Sequence, residues 1–111
     1  MIISKTFYFE SAHFLPGHPH CGQMHGHSYK LEVKVDGKIN PENGMVMDFK
    51  TLSELINTKV IKKLDHNMLN NILEIPTAEH IIIWIMNQLP VTLKFGLKLW
   101  ETKDSYAEIS I

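Results

Sequence analysis

The chain has 111 residues, with twelve acidic side chains, eleven lysines, no arginine, seven histidines and one cysteine. That length predicts a single domain (residues 1–111) able to bury its own core, and one thiol excludes a disulfide framework within the chain. Near-neutral charge without a guanidinium fork argues against nucleic acid; with no leader-like opening and no apolar run longer than Ile81 to Met86, the expectation is a soluble, cytoplasmic protein with no membrane partner.

In chain order, the first element is a strand. From Lys5 to His13, Phe7, Phe9, Ser11 and His13 share one face while Tyr8, Glu10 and Ala12 share the other. A Pro- and Gly-containing loop over 15–24 follows, holding the only cysteine, Cys21. The second strand starts at His25, and its row His27, Tyr29, Leu31, Val33 and Val35 alternates with Ser28, Lys30, Glu32, Lys34 and Asp36. Strand side chains alternate faces, so His25 and His27 point the same way, about 6.6 Å apart at roughly 3.3 Å per residue. If the two strands pair antiparallel through the loop, His13 comes beside them and three imidazoles cluster.

Asp36-Gly37 and Asn40 to Gly44 carry turn chemistry, and Asp48 is a natural N-cap. A first helix then runs through Phe49, Leu52, Leu55, Ile56 and Val60, whose spacing predicts a face packed on the sheet. Leu64 to Asn70 breaks that pattern with polar residues, Asp65 and His66 among them, and reads as a functional loop. Thr77 can cap a second helix through Glu79, His80 and Ile81 to about Leu89, stopped by Pro90. Val91 to Phe95 with Leu97 to Thr102, and then Tyr106 to Ile111, supply two further strands joined near Lys103 to Ser105. The order ββααββ predicts an α+β layer, a four-stranded antiparallel sheet with two helices on one face. Sheet edges in so small a domain need protection, which favours an oligomer.

Three neutral nitrogens would leave tetrahedral zinc an open position, as catalytic sites do. Two other outcomes stay open at this level: isolated surface histidines, or a structural site in a non-catalytic zinc-stabilised binding module, closed by Cys21 as a fourth ligand. A metallohydrolase is disfavoured, because no carboxylate lies within the histidine motif as a ready base for water.

Phe9-Glu10-Ser11-Ala12-His13, the Cys-Gly-x-x-His-Gly-His-Ser element at 21–28, Gly44 to Asp48-Phe49, Leu64-Asp65-His66, Pro76-Thr77-Ala78-Glu79 and Glu101-Thr102 together resemble the 6-pyruvoyl-tetrahydropterin synthase family over nearly the whole chain. The three residues between Cys21 and His25 resemble the 6-carboxy-5,6,7,8-tetrahydropterin synthase branch of the queuosine pathway. The resemblance implies the tunnelling fold (T-fold), in which three subunits close a barrel and two trimers stack into a homohexamer with sites at subunit interfaces. It implies Zn2+ on His13, His25 and His27, catalysis by Cys21, Asp65 and His66, and a pterin ring held by Thr77, Glu79 and Glu101. The implied substrate is 7,8-dihydroneopterin triphosphate, converted to 6-carboxy-5,6,7,8-tetrahydropterin with release of acetaldehyde and triphosphate. The other branch, 6-pyruvoyl-tetrahydropterin synthase, would use the same groups. Without arginine, no motif marks the residues that meet the triphosphate.

Overall fold

The computed structural model describes residues 1–111. Two twelve-residue strands, β1 (Ile2–His13) and β2 (His25–Asp36), pair antiparallel in the register the alternation requires, Phe7 opposite Leu31, Phe9 opposite Tyr29 and His13 opposite His25. Each of these pairs lies on one face, so an apolar row on either strand continues directly into histidine. Beyond β2 the sheet continues antiparallel through β4 (Lys94–Thr102) and β5 (Ser105–Ile109).

A fifth strand departs from the expected four. β3 (Asn67–Met68) lies parallel to β1 on its outer edge, giving the order β3-β1-β2-β4-β5 and making the sheet mixed. It falls inside the segment expected to be loop, because two residues are too few to show any alternation. Leu64 and Leu69 bury this segment in the core, and a side chain extends its pairing: the Asn70 amide accepts from the Phe14 N–H at 3.0 Å and donates to the Phe14 carbonyl at 2.9 Å, standing in for a strand backbone.

α1 (Phe49–Ile56) begins where the Asp48 side chain accepts the Lys50 N–H at 2.8 Å. It runs on through a π-helical turn, Asn57–Ile61, and a last turn, Lys62–Leu64. Leu52, Ile56, Val60 and Leu64 are all fully buried at four-residue spacing. In a regular α-helix such a row drifts about 40° per step, and the wider turn keeps it facing the sheet. Phe49 departs from the expected face and is half-exposed: as the first helical residue it overhangs the sheet's end and borders a shallow cavity with Met1, Ile3 and Met45.

α2 (Ala78–Asn87) starts at Thr77, whose hydroxyl accepts the His80 N–H, and buries Ile81, Ile82 and Ile85. Helix ends two residues before the expected Leu89, and β4 starts at Lys94 rather than Val91, because Pro90 to Leu93 form a turn that leaves Val91 fully exposed. Both helices cover the face bearing Tyr29, Leu31, Val33, Leu97 and Leu99, and the core is eighteen buried apolar residues between them. The opposite face is exposed, with Lys98 over the rings of Trp100 and Tyr106. No helix is long and apolar enough to cross a membrane.

Candidate active site

Strand pairing delivers the three histidines to one point. His13, His25 and His27 each offer a ring nitrogen within 4.8 Å of the others, His13 being fully buried. Two of the outer nitrogens are fixed by the backbone: His13 Nδ1 meets the Pro76 carbonyl at 2.8 Å and His25 Nδ1 the Gln23 carbonyl at 2.9 Å. A carbonyl only accepts, so both Nδ1 atoms carry the proton and both Nε2 atoms present bare lone pairs. Those two Nε2 atoms stand 3.0 Å apart. His27 Nε2 is buried with no hydrogen-bond partner at all.

Facing lone pairs and an orphaned buried nitrogen are unfavourable by themselves and are relieved by a cation among them. Imidazoles that donate their second N–H to backbone carbonyls are the usual support of metal-binding histidine. Burial, reinforced by His13 and His25 and opposed by Glu101, lowers the His27 pKa and so favours its neutral, ligating form. All-nitrogen donors at this spacing fit zinc, with His13, His25 and His27 as the ligands.

Glu101 continues the inward row of Leu97 and Leu99 and brings its carboxylate to 3.7 Å from His27 Nε2 and 4.0 Å from His13 Nε2. Below it, Tyr29 is buried, and that burial together with Glu101 raises its pKa, so the phenol stays protonated. Glu101 also lines a cavity of about 470 Å³ with Thr77, Glu79, Tyr106 and Glu108. The structure thus gathers Thr77, Glu79 and Glu101 around one space between the start of α2 and the β4–β5 pair.

Asp65 and His66 lie elsewhere, at the outer edge of β1. Asp65 Oδ1 accepts the Glu10 N–H at 2.9 Å, its Oδ2 lies 2.9 Å from His66 Nδ1, and the His66 N–H donates to the Glu10 carbonyl at 2.6 Å. Ser11 fixes the preceding residue by donating its hydroxyl to the Leu64 carbonyl. His66 holds φ +54°, a left-handed conformation uncommon outside glycine, which this clamp to β1 over-determines. The Glu10 N–H is the main cause lowering the Asp65 pKa, opposed next by burial, with His66 adding to the lowering. His66 opens onto a second cavity, of about 380 Å³, shared with Glu10, Ala12, Gly26 and His27.

Cys21 is half-buried in the 15–24 loop, outside the three-imidazole cluster. Sequence reasoning missed Asn70, the Pro76 carbonyl and Glu108. Asn70 grips the Phe14 backbone with its side-chain amide, Pro76 offers only a carbonyl and Glu108 is one strand position among several, so no spacing motif reveals them.

A model of the 6-pyruvoyl tetrahydropterin synthase family matches residues 2–110. The chain is 44% identical over 114 residues to a protein of Archaeoglobus fulgidus provisionally named a 6-carboxy-5,6,7,8-tetrahydropterin synthase, covering 98% of this chain and 95% of that one. It is 40% identical over 92 residues to the dihydroneopterin monophosphate aldolase of Pyrococcus furiosus, covering 78% of each. In three dimensions it is similar to 6-pyruvoyl tetrahydropterin synthase of Caenorhabditis elegans, with TM-score 0.88 at 22% identity over 100% of this chain and 95% of that one. This likeness shows the tunnelling fold, and the family match extends over almost every residue; the chain belongs to the 6-pyruvoyl tetrahydropterin synthase family.

Proposed function

We propose that this pterin enzyme is a zinc-dependent lyase converting 7,8-dihydroneopterin triphosphate to 6-carboxy-5,6,7,8-tetrahydropterin, with release of acetaldehyde and triphosphate, a step toward queuosine. The observation that carries the reading is the junction at Glu101, where one carboxylate borders both the three-imidazole cluster and the acid-lined cavity. Likeness to the Archaeoglobus fulgidus protein supports the carboxy branch.

A pterin presents a row of amino and N–H donors along one edge. Glu101, with Glu79 beside it, accepts those hydrogen bonds and fixes the ring so that its C6 side chain lies toward the histidines. Thr77 lines the same wall. His13, His25 and His27 hold the zinc, which when bound supplies a Lewis acid that polarises the side-chain hydroxyls. Cys21 Sγ takes the proton beside the pterin imine. Asp65 Oδ2 orients the His66 imidazole through Nδ1 and leaves its Nε2 to carry a proton to or from the side chain. The dyad and the acid-lined cavity lie at opposite sides of one chain's sheet, so a complete site takes its dyad from a neighbouring subunit in a homohexamer.

A second reading rests on the Pyrococcus furiosus relative: aldol cleavage of dihydroneopterin monophosphate, which suits a chain with no arginine to grip three phosphates. The test is product mass spectrometry of the zinc-loaded protein given each phosphate ester separately, with an aldehyde trap. Carboxytetrahydropterin with trapped acetaldehyde from the triphosphate supports the first reading. Turnover of the monophosphate alone moves the assignment to the second, and no turnover of either with zinc in place supports the binding module.

A further inference from the structure

The loop that carries Cys21 is closed by its own hydrogen bonds. Leu15 to His18 form a turn in which the His18 N–H donates to the Leu15 carbonyl at 3.1 Å, with Pro16 at the second position and Gly17 at φ +76° in the third. That is type II chemistry, where proline presets φ and only glycine readily takes the left-handed place. The Leu15 N–H then reaches across to the Cys21 carbonyl at 2.7 Å.

Inside this ring the His18 imidazole folds back on the chain. Its Nδ1 accepts the His20 N–H at 3.2 Å and the Cys21 N–H at 2.8 Å. A nitrogen accepting two N–H bonds carries no proton, so His18 here is neutral and protonated at Nε2. Pro19 offers no N–H, which leaves His20 and Cys21 as the next two donors in the chain. Both backbone polar groups of Cys21 are therefore held, the carbonyl by Leu15 and the N–H by His18. The chain stays pressed on His18 just beyond: a β carbon at Gly22 would lie 2.7 Å from the His18 carbonyl oxygen.

We propose that His18 is a positioning residue, whose Nδ1 anchors the Cys21 N–H and sets the direction in which the thiol leaves the loop. The arrangement copies an Asx turn with a ring nitrogen in place of a carboxamide oxygen. Asparagine at this position would present its Oδ1 where Nδ1 now sits, whereas glutamine would place its oxygen one bond farther out. The consequence for catalysis rests on the proton-transfer role proposed for Cys21, since small misplacement of a reacting group is costly. The anchoring itself does not rest on it.

Because Cys21 is the only cysteine, alkylation by iodoacetamide reports its presentation without ambiguity. The experiment compares wild type, His18→Ala, His18→Asn and His18→Gln for alkylation rate, zinc content, kcat and KM. His18→Ala is expected to shift the alkylation rate by about threefold or more and to lower kcat roughly tenfold to a hundredfold, with zinc content and KM held. His18→Asn restores the alkylation rate and kcat, and His18→Gln restores neither. An alkylation rate for His18→Ala within twofold of wild type overturns the proposal, as does a His18→Asn variant no closer to wild type than His18→Gln. Should the alkylation pattern hold while even wild type turns over no pterin, His18 keeps its role and the enzyme reading fails.

Discussion

Two bare Nε2 lone pairs 3.0 Å apart, beside a third buried nitrogen with no partner, are the most consequential detail at the residue scale. Backbone carbonyls enforce this arrangement from behind, so the protein spends hydrogen bonds to point acceptors at one another. His27→Ala removes the orphaned nitrogen, and we expect zinc content measured by atomic spectroscopy to fall well below one per chain with the circular dichroism spectrum unchanged. At the β1 edge, Asp65 gives a pH signature. Its folded pKa lies below the ordinary value near 4, so its contribution to stability is complete above that value and is lost as pH falls through the folded pKa. Asp65→Ala is therefore expected to be less stable than wild type at pH 7, with the gap in denaturation midpoint narrowing below about pH 4. The histidine cluster was legible because period-two alternation fixes which residues share a face. The Glu10 clamp and the Asn70 rung were not, because the groups that Asp65 and Asn70 grip are backbone N–H and carbonyl groups that any residue carries.

At the scale of elements, local signals placed both helix starts. Asp48 and Thr77 each take a first-turn N–H, as their side chains predict. Asp48→Ala, far from the histidines, should cost about 1 kcal/mol of unfolding free energy in a urea titration and leave zinc content unchanged. Long strands were legible for the same reason as the cluster: β1 and β2 each offer enough residues for alternation to show. β3 has two and shows none. Phe49 fits the helical spacing yet lies past the sheet's end, where periodicity says which way a side chain points and nothing of what it meets. Val91 is alike, since apolar alternation continued through Pro90 to Leu93 while the chain was turning.

The whole molecule is long for its size, with principal extents of 54 × 23 × 22 Å and a radius of gyration of 15.0 Å, against about 13 Å for a compact chain near this length. Two twelve-residue strands set that length, and the helices cover one face of it only. Met1, Ile2, Tyr8, Phe49 and Tyr106 stay at least half-exposed, and the outer strands leave free edges. These surfaces suit a ring of copies, and light scattering of the zinc-loaded protein is expected to give six times the mass of the chain; a monomer would leave the dyad and the acid-lined cavity apart. In the reading proposed above, three imidazoles hold the zinc and the thiol is left free for proton transfer. Zinc content of Cys21→Ala, determined on the preparation whose turnover is assayed, tests it most directly. We expect about one zinc per chain, as three nitrogen ligands suffice for a catalytic site, with product formation abolished. Loss of the zinc would make Cys21 a fourth ligand of a closed structural site, and retained turnover would remove the thiol from the chemistry; either result overturns the division of labour between imidazoles and thiol.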